Sequence, residues 1–318
     1  MTNNCLPHTH PFVSVIIPCF NDEKGIQDTL ESISAQDYPA DRWEVIVVDN
    51  NSTDNTQQVA RSFSRKIPSL KVKQEKRQSS YAARNKGISI AQGDIIAFID
   101  SDMTVKPDWF KRFVFEINKY NADYIGSRVD ILTKKNPTIY EIYNQKTGFP
   151  IKYCLEKSGF SPTCSLIIKK SVIAKCGAFD EKFISGGDKE FGNRVKRSGL
   201  KMHYSDVNIV FHPARKSFLS LLKKQFRVGR GFYQLCYRYP EQQSEFLRNI
   251  LNPIHYGPLN PERLKNNILR KNFKWNNIRV SNKMKFYFIY WIEKVFCHCG
   301  YCYEYLIAKK HAVGQSTN

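Results

Sequence analysis

After a polar stretch the chain opens on a short apolar run, Val13–Ile17, closed by Pro18. Branched residues at successive positions suit a strand covered on both faces, as in a parallel sheet. Asn21 or Asp22 then caps a helix whose Ile26, Leu30 and Ile33 repeat at i, i+4 and i+7. The pattern recurs. Val45–Val48 is a second buried strand, and the polar cluster Asp49–Asp54 opens a helix running through Phe63. Leu70–Lys73 is a third strand, Ser80–Ala91 a helix stopped by Gly93, and Ile95–Ile99 a fourth strand ending at Asp100-Ser101-Asp102. This alternation predicts an α/β fold, a mostly parallel central sheet flanked by helices.

Residues 130–212 are less regular. Ser165–Ile168 reads as a strand, Gly186-Gly187-Asp188 as a glycine turn with Asp188 capping a helix that ends at Gly199, and Val207–Phe211 as a strand delivering His212 and Pro213. From Ser217 onward the pattern is helical, broken at Pro240, Pro253, Pro258 and Pro261. The last helix, Met284 to Ala308, is dense in aromatic residues and bracketed by Lys283, Lys285, Lys309 and Lys310. Such a helix either lies in the plane of a membrane or packs on the main domain.

Composition separates the two ends. Of 318 residues, 49 are Lys or Arg and 29 Asp or Glu, a formal +20, while 42% are hydrophobic. A chain this apolar buries a core, which excludes a disordered basic tail protein. From Pro213 onward 19 Lys and Arg face 5 Asp and Glu, so +14 of the excess sits in the last third. That excess calls for an anionic partner: nucleic acid, an anionic membrane surface or a phosphorylated small molecule. No secretory signal and no run of eighteen apolar residues is visible, so a cytoplasmic protein that does not cross the membrane is expected. The nine scattered cysteines read as reduced thiols. Cys297, His298, Cys299 and Cys302 have metal-like spacing on a helical stretch but lack a second ligand pair at loop distance.

In parallel sheets ligands bind beyond the carboxyl ends of the strands. That rule singles out Asn21, Asp22 and Glu23, then Asp49 and Asn51, then Asp100 and Asp102. Carboxylates gathered at one edge repel unless a cation joins them. Two acids one residue apart can hold a divalent cation with positions left for phosphate oxygens. Asp49 can accept from a base N–H, and Arg84 on the following helix can reach phosphate or base. Together these groups suit a nucleoside diphosphate with its metal.

Four stretches in order, Val13-Ser14-Val15-Ile16-Ile17-Pro18-Cys19-Phe20-Asn21, Val47-Val48-Asp49-Asn50-Asn51-Ser52-Thr53-Asp54, Ala83-Arg84-Asn85-Lys86-Gly87 and Phe98-Ile99-Asp100-Ser101-Asp102, resemble the successive motifs of family 2 glycosyltransferases with the GT-A fold. The resemblance covers roughly residues 12–235. It implies a polar tail at 1–11, a catalytic domain at 12–215 with a nucleotide-binding half (12–102) and an acceptor half (103–215), and a basic helical region at 216–318. Pro18, Phe20 and Glu23 would line the nucleoside pocket with Asn51 nearby, Asp49 would bind the base and Arg84 would sit beside it. Asp100 and Asp102 would hold Mn²⁺ or Mg²⁺ on the diphosphate of a nucleotide-sugar, a UDP-sugar first of all. His212 resembles a histidine that some members place near the metal; a structural hydrogen bond is the other reading.

Inverting sugar transfer needs a carboxylate to take the acceptor hydroxyl proton. Asp188 is the expected base. Family members often carry Glu-Asp after the glycine, whereas this chain has Gly187-Asp188, so Glu190 stands as the second choice. Gln225-Phe226-Arg227-Val228-Gly229-Arg230-Gly231 resembles an arginine-bearing segment whose cations neutralise a donor diphosphate or lipid-linked phosphate, which assigns Arg227 and Arg230 to phosphate. The expected protein is an inverting glycosyltransferase acting on a lipid-linked or glycan acceptor, peripheral on the cytosolic face of an anionic membrane. The alternative is a basic nucleic-acid binder reusing the fold, but no nucleic-acid-binding motif supports it and no nucleic-acid partner is expected. A nucleotidyltransferase would need a basic glycine-rich loop after the first strand, which is absent.

Overall fold

The computed structural model describes residues 10–240, 261–269, 276 and 278–315. Most of the expected polar tail, residues 1–9, and the breaks at Pro253 and Pro258 lie outside the described residues.

Strands β1 (Val13–Cys19), β2 (Trp43–Asp49), β3 (Leu70–Gln74) and β4 (Ile95–Ile99) alternate with helices α1 (Glu23–Ser34), α2 (Thr56–Ser62) and α3 (Ser80–Ile90). Every residue of β1, β2 and β4 is buried, as their unbroken apolar runs require. The chain continues through β5 (Thr104–Val105), α4 (Trp109–Tyr120), β6 (Tyr124–Leu132), α5 (Ile139–Thr147), α6 (Ile151–Ser158), β7 (Ser165–Lys169), α7 (Lys170–Cys176), α8 (Gly187–Arg197) and β8 (Met202–Pro213). These build an eight-stranded sheet of order β3-β2-β1-β4-β7-β6-β8-β5. The four strands from β3 to β4 are parallel, and β7 then joins β4 antiparallel, with Ile99 opposite Ser165. In the parallel part the register pairs Cys19 with Asp49 and Ile16 with Phe98, so these strands end side by side at one edge.

At the opposite edge β2 contributes a buried acid. Glu44 accepts from Ser14 Oγ at 2.6 Å and Gln92 N–H at 2.7 Å, and pairs with Lys71 at 2.5 Å. Burial alone would raise its pKa, but these donors outweigh burial and hold the carboxyl below its ordinary value.

The described chain divides into two compact units. The first takes residues up to Asp130, Ile151–Phe179 and Phe191–His212, and the second takes Ile131–Pro150, Asp180–Glu190 and everything from Pro213. In the first unit α1 sets Ile26, Leu30 and Ile33 into the core, and α4 adds Trp109, Phe110 and Phe113. Burying each such side chain contributes about 1.5–3 kcal/mol.

The second unit is built around α9 (Phe218–Arg238), α10 (Pro261–Leu269) and α11 (Val280–Gln315). Tyr143, Leu221, Leu264, Ile268, Phe286 and Ile289 form its core. Glycines bring α9 and α11 into backbone contact: a Cβ on Gly229 would strike the Cys297 carbonyl, and one on Gly300 the Phe226 carbonyl. Both acids of α11 point inward. Glu293 accepts from Tyr143 Oη at 2.6 Å, while Glu304 takes Arg230 Nε at 2.8 Å and Gln234 Nε2 at 3.1 Å. One face of the final helix is therefore core, in line with the packing alternative, while its outer face is exposed. Among the described residues no helix is long and apolar enough to cross a membrane.

Candidate active site

The edge where β1, β2 and β4 end carries three loops braced against one another. Asn21, in left-handed backbone at φ 48°, donates its N–H to Ser52 Oγ and accepts from Thr53 N–H at 2.8 Å. Asparagine tolerates that conformation better than most residues. Asp22 caps α1 by accepting from Gly25 N–H at 3.1 Å, and its second oxygen accepts from Ser101 Oγ at 2.7 Å. Glu23 accepts from Asn55 N–H at 2.8 Å. From below, buried Thr29 donates to the carbonyls of Ser101 and Met103 at 2.8 and 2.6 Å. The loops are thus positioned before any ligand arrives.

Asp49 is buried at the end of β2, its carboxylate held by the Ser52 N–H. Cys19 Sγ lies 4.0 Å from it. Burial first, then the charges of Asp49, Asp22 and Asp54, push this thiol far up, so it stays protonated and is no nucleophile. Pro18 is buried within β1, whereas Phe20 and Asn51 are exposed beside Asp49 in the chain's two turns. Asn51 also has positive φ, at 68°.

Arg84 is 5% exposed on α3, donates to Asp100 Oδ1 at 2.7 Å, and lies 5.7 Å from the Tyr81 ring. Its Nε is buried with no hydrogen-bond partner. Its Nη1 also faces the Ser80 carbonyl at 3.4 Å.

Asp102 lies 3.5 Å from His212 Nε2. The pairing of β5 with β8 explains the encounter: Thr104 sits opposite Phe211, which brings the next residue, His212, to the loop before β5. Asp100 is turned to Arg84 and Asp102 to His212, so the two acids of the motif have different partners. A half-exposed carboxylate beside an imidazole nevertheless fits a divalent cation that takes its remaining ligands from phosphate and water, the usual habit of Mg²⁺. Cys297, His298, Cys299 and Cys302 all lie on α11, with Cys302 Sγ 3.3 Å from His298 Nε2.

The remaining expected residues belong to the second unit. α8 starts at Gly187, after Gly186 at φ 83°, so Asp188 is a half-buried residue of the first turn and not the N-cap. Glu190 is buried and accepts from Tyr239 Oη at 2.9 Å, an anchoring contact that keeps it from an incoming hydroxyl. Arg230 pairs with Glu304 at 2.8 Å and lies 5.1 Å from the Tyr303 ring, where α9 packs on α11. Arg227 is exposed on the same helix. A cavity of about 400 Å³ in this unit is lined by Asp180, Lys182, Phe183, Tyr233, Tyr237 and Glu304, among others, and by none of the residues the sequence singled out. Its aromatic lining could be found only once α9 and the 180–184 loop were placed together, Ile184 N–H donating to Gln234 at 2.8 Å.

Residues 14–176 match the family model described as Glycosyl transferase family 2. Over 228 residues the chain is 38% identical to Glycosyltransferase AglE of Haloferax volcanii, covering 71% of this chain and 75% of that one. It is 26% identical over 273 residues to a Methanococcus voltae protein named Dolichyl N-acetyl-alpha-D-glucosaminyl phosphate 3-beta-D-2,3-diacetamido-2,3-dideoxy-beta-D-glucuronosyltransferase, covering 78% and 83%. Among solved structures, the mannosyltransferase PcManGT from Pyrobaculum calidifontis, in complex with GDP-Man and Mn²⁺, aligns with a TM-score of 0.59 at 17% identity, covering 92% of this chain and 87% of that one.

Proposed function

Since the chain belongs to glycosyl transferase family 2 and is a glycosyltransferase, we propose that it moves a sugar, with inversion, from a nucleoside diphosphate donor to a hydroxyl of a lipid-linked or polysaccharide acceptor. The observation that carries the reading is the edge of the parallel strands, where Asp49, the Arg84–Asp100 pair and the Asp102–His212 pair follow successive strand ends. A UDP-sugar is the proposed donor, with Asp49 accepting from the base and Pro18, Phe20, Glu23 and Asn51 around it. The place of Arg84 beside Asp100 at the strand edge supports a role in donor binding. The lipid-linked acceptor rests on the Methanococcus voltae relative, whose name carries a dolichyl-linked sugar phosphate.

Asp102 and His212 are the residues proposed to hold Mn²⁺ or Mg²⁺. When bound, the cation neutralises charge on the departing diphosphate. Asp188 is the proposed base: it takes the acceptor hydroxyl proton as that oxygen attacks the anomeric carbon. The buried, hydrogen-bonded Glu190 supports that choice over its own candidacy.

The test is a panel of nucleotide-sugars with purified wild type, Asp102→Ala and Asp188→Asn. Asp102→Ala is expected to weaken Mn²⁺-dependent UDP binding by calorimetry and cut turnover; Asp188→Asn is expected to keep donor affinity and lower transfer by about 10²–10⁴-fold. If no nucleotide-sugar is bound or turned over with either metal, the reading fails. Retained transfer in Asp188→Asn would move the base elsewhere.

A further inference from the structure

The side of α11 turned away from the core is not an ordinary solvated helix face. Met284, Phe288, Phe296, Tyr303 and Leu306 are between 37 and 72% exposed. At about 100° per residue they fall within an arc of about 120°, in a row about 33 Å long. Single exposed apolar residues are common, but an aligned row of large ones marks a contact surface.

The charges on this helix identify the contact. Its only two acids, Glu293 and Glu304, are 6 and 8% exposed and bonded inward to Tyr143 and Arg230. Lys285, Lys294, Lys309 and Lys310 are exposed. Everything the helix shows to the outside is therefore apolar, neutral polar or cationic. The fit is to a surface that is apolar within and anionic at its rim. The backbone contacts at Gly229 and Gly300 fix which side faces in, so this face is presented without rearrangement.

We propose that the outer face of α11 is a membrane-contact surface. The helix lies in the plane of an anionic bilayer, its apolar row among the upper acyl chains and its lysines on the headgroup phosphates. The contact is in-plane because no described helix is apolar enough to cross. The proposal deepens the reading of a lipid-linked acceptor, since it would set the enzyme where such an acceptor is met, but its test needs no activity and so fails or succeeds separately.

The test is co-sedimentation of the full chain with vesicles of phosphatidylcholine alone and of phosphatidylcholine mixed with phosphatidylglycerol. Wild type is expected to bind the anionic vesicles preferentially. Phe288→Ser with Leu306→Ser is expected to weaken binding about ten-fold. Lys309→Glu with Lys310→Glu is expected to weaken it at low salt and to matter less at high salt. All four positions are exposed, and an unchanged circular dichroism melt verifies the fold. Equal binding by variants and wild type, or no binding to either vesicle, overturns the proposal. So does a wild-type dimer in sedimentation equilibrium that the apolar variant converts to monomer without any vesicle binding, which would make the face an interface between copies.

Discussion

Asp100 and Asp102 stand one residue apart, yet one is held by Arg84 and the other by His212. The split gives each acid its own neighbour at the strand edge. Arg84 is the more exacting member, because its guanidinium is buried and donates in a fork that an ammonium cannot reproduce. Arg84→Lys should keep the charge and the fold while lowering UDP affinity about ten-fold, read by calorimetry beside a thermal melt. Undiminished affinity would leave Arg84 as a purely structural partner of Asp100. The sequence made both acids and Arg84 conspicuous, since each follows an apolar strand or sits on the helix after one. It could not show the division of partners. His212 comes from a strand more than a hundred residues on, and it arrives through pairing with β5, a strand of two residues too short to leave an apolar pattern.

Among the elements, α9 and α11 depend on missing side chains. Gly229 and Gly300 let the two backbones touch, and Gly231 does the same against the Ser185 carbonyl. Glycine within a helix costs about 1 kcal/mol, a cost that the close packing offsets. Gly229→Val should lower stability by about 2–4 kcal/mol, seen as an earlier urea transition of the full chain. An unchanged midpoint would mean that the helices can part at no cost. Gly229 and Gly231 fall in the segment that the sequence points to for its arginines; their use in packing depends on partners elsewhere in the chain, Cys297 some seventy residues on and Ser185 before it. One further element left a local trace that the sequence reading passed over. Thr138 and Glu141 form a capping box at the start of α5, the Ser/Thr-x-x-Glu spacing that marks a helix start. α4 carries a clear helical stripe, Trp109, Phe110, Phe113, Val114 and Ile117, that was there to be read, whereas Gly126 and the polar residues of β6 blur its alternation.

For the molecule as a whole, the parallel part of the sheet was readable because strands buried on both faces must be apolar throughout. Of the antiparallel part, β7 and the end of β8 were legible, but β6 and the start of β8, which mix buried and open positions, were not. The stability of this assembly should respond to acid. Among the described residues four carboxyls are held below their ordinary pKa: Glu44, where Lys71, Ser14 and Gln92 outweigh burial; Asp108, through its hydrogen bond from Arg112; Asp123, where Lys201 N–H and Lys169 outweigh burial; and Glu141, through the Thr138 N–H. Groups lowered in the folded state stabilise it fully above the unfolded value of about 4, and that contribution is lost as pH falls through the folded values. The urea midpoint should therefore stay flat near neutrality and fall below about pH 4. Glu44→Gln should cost about 1–3 kcal/mol at pH 7 and flatten that fall. A midpoint insensitive to acid would show these pairs to be idle. The inward acids of α11 lead the other way. With both carboxylates placed inside, no exposed acid on that helix offsets its outward lysines. On the proposed membrane contact the charge facing the bilayer comes from the exposed lysines, so the fraction of anionic headgroups would govern how much of the protein is recruited.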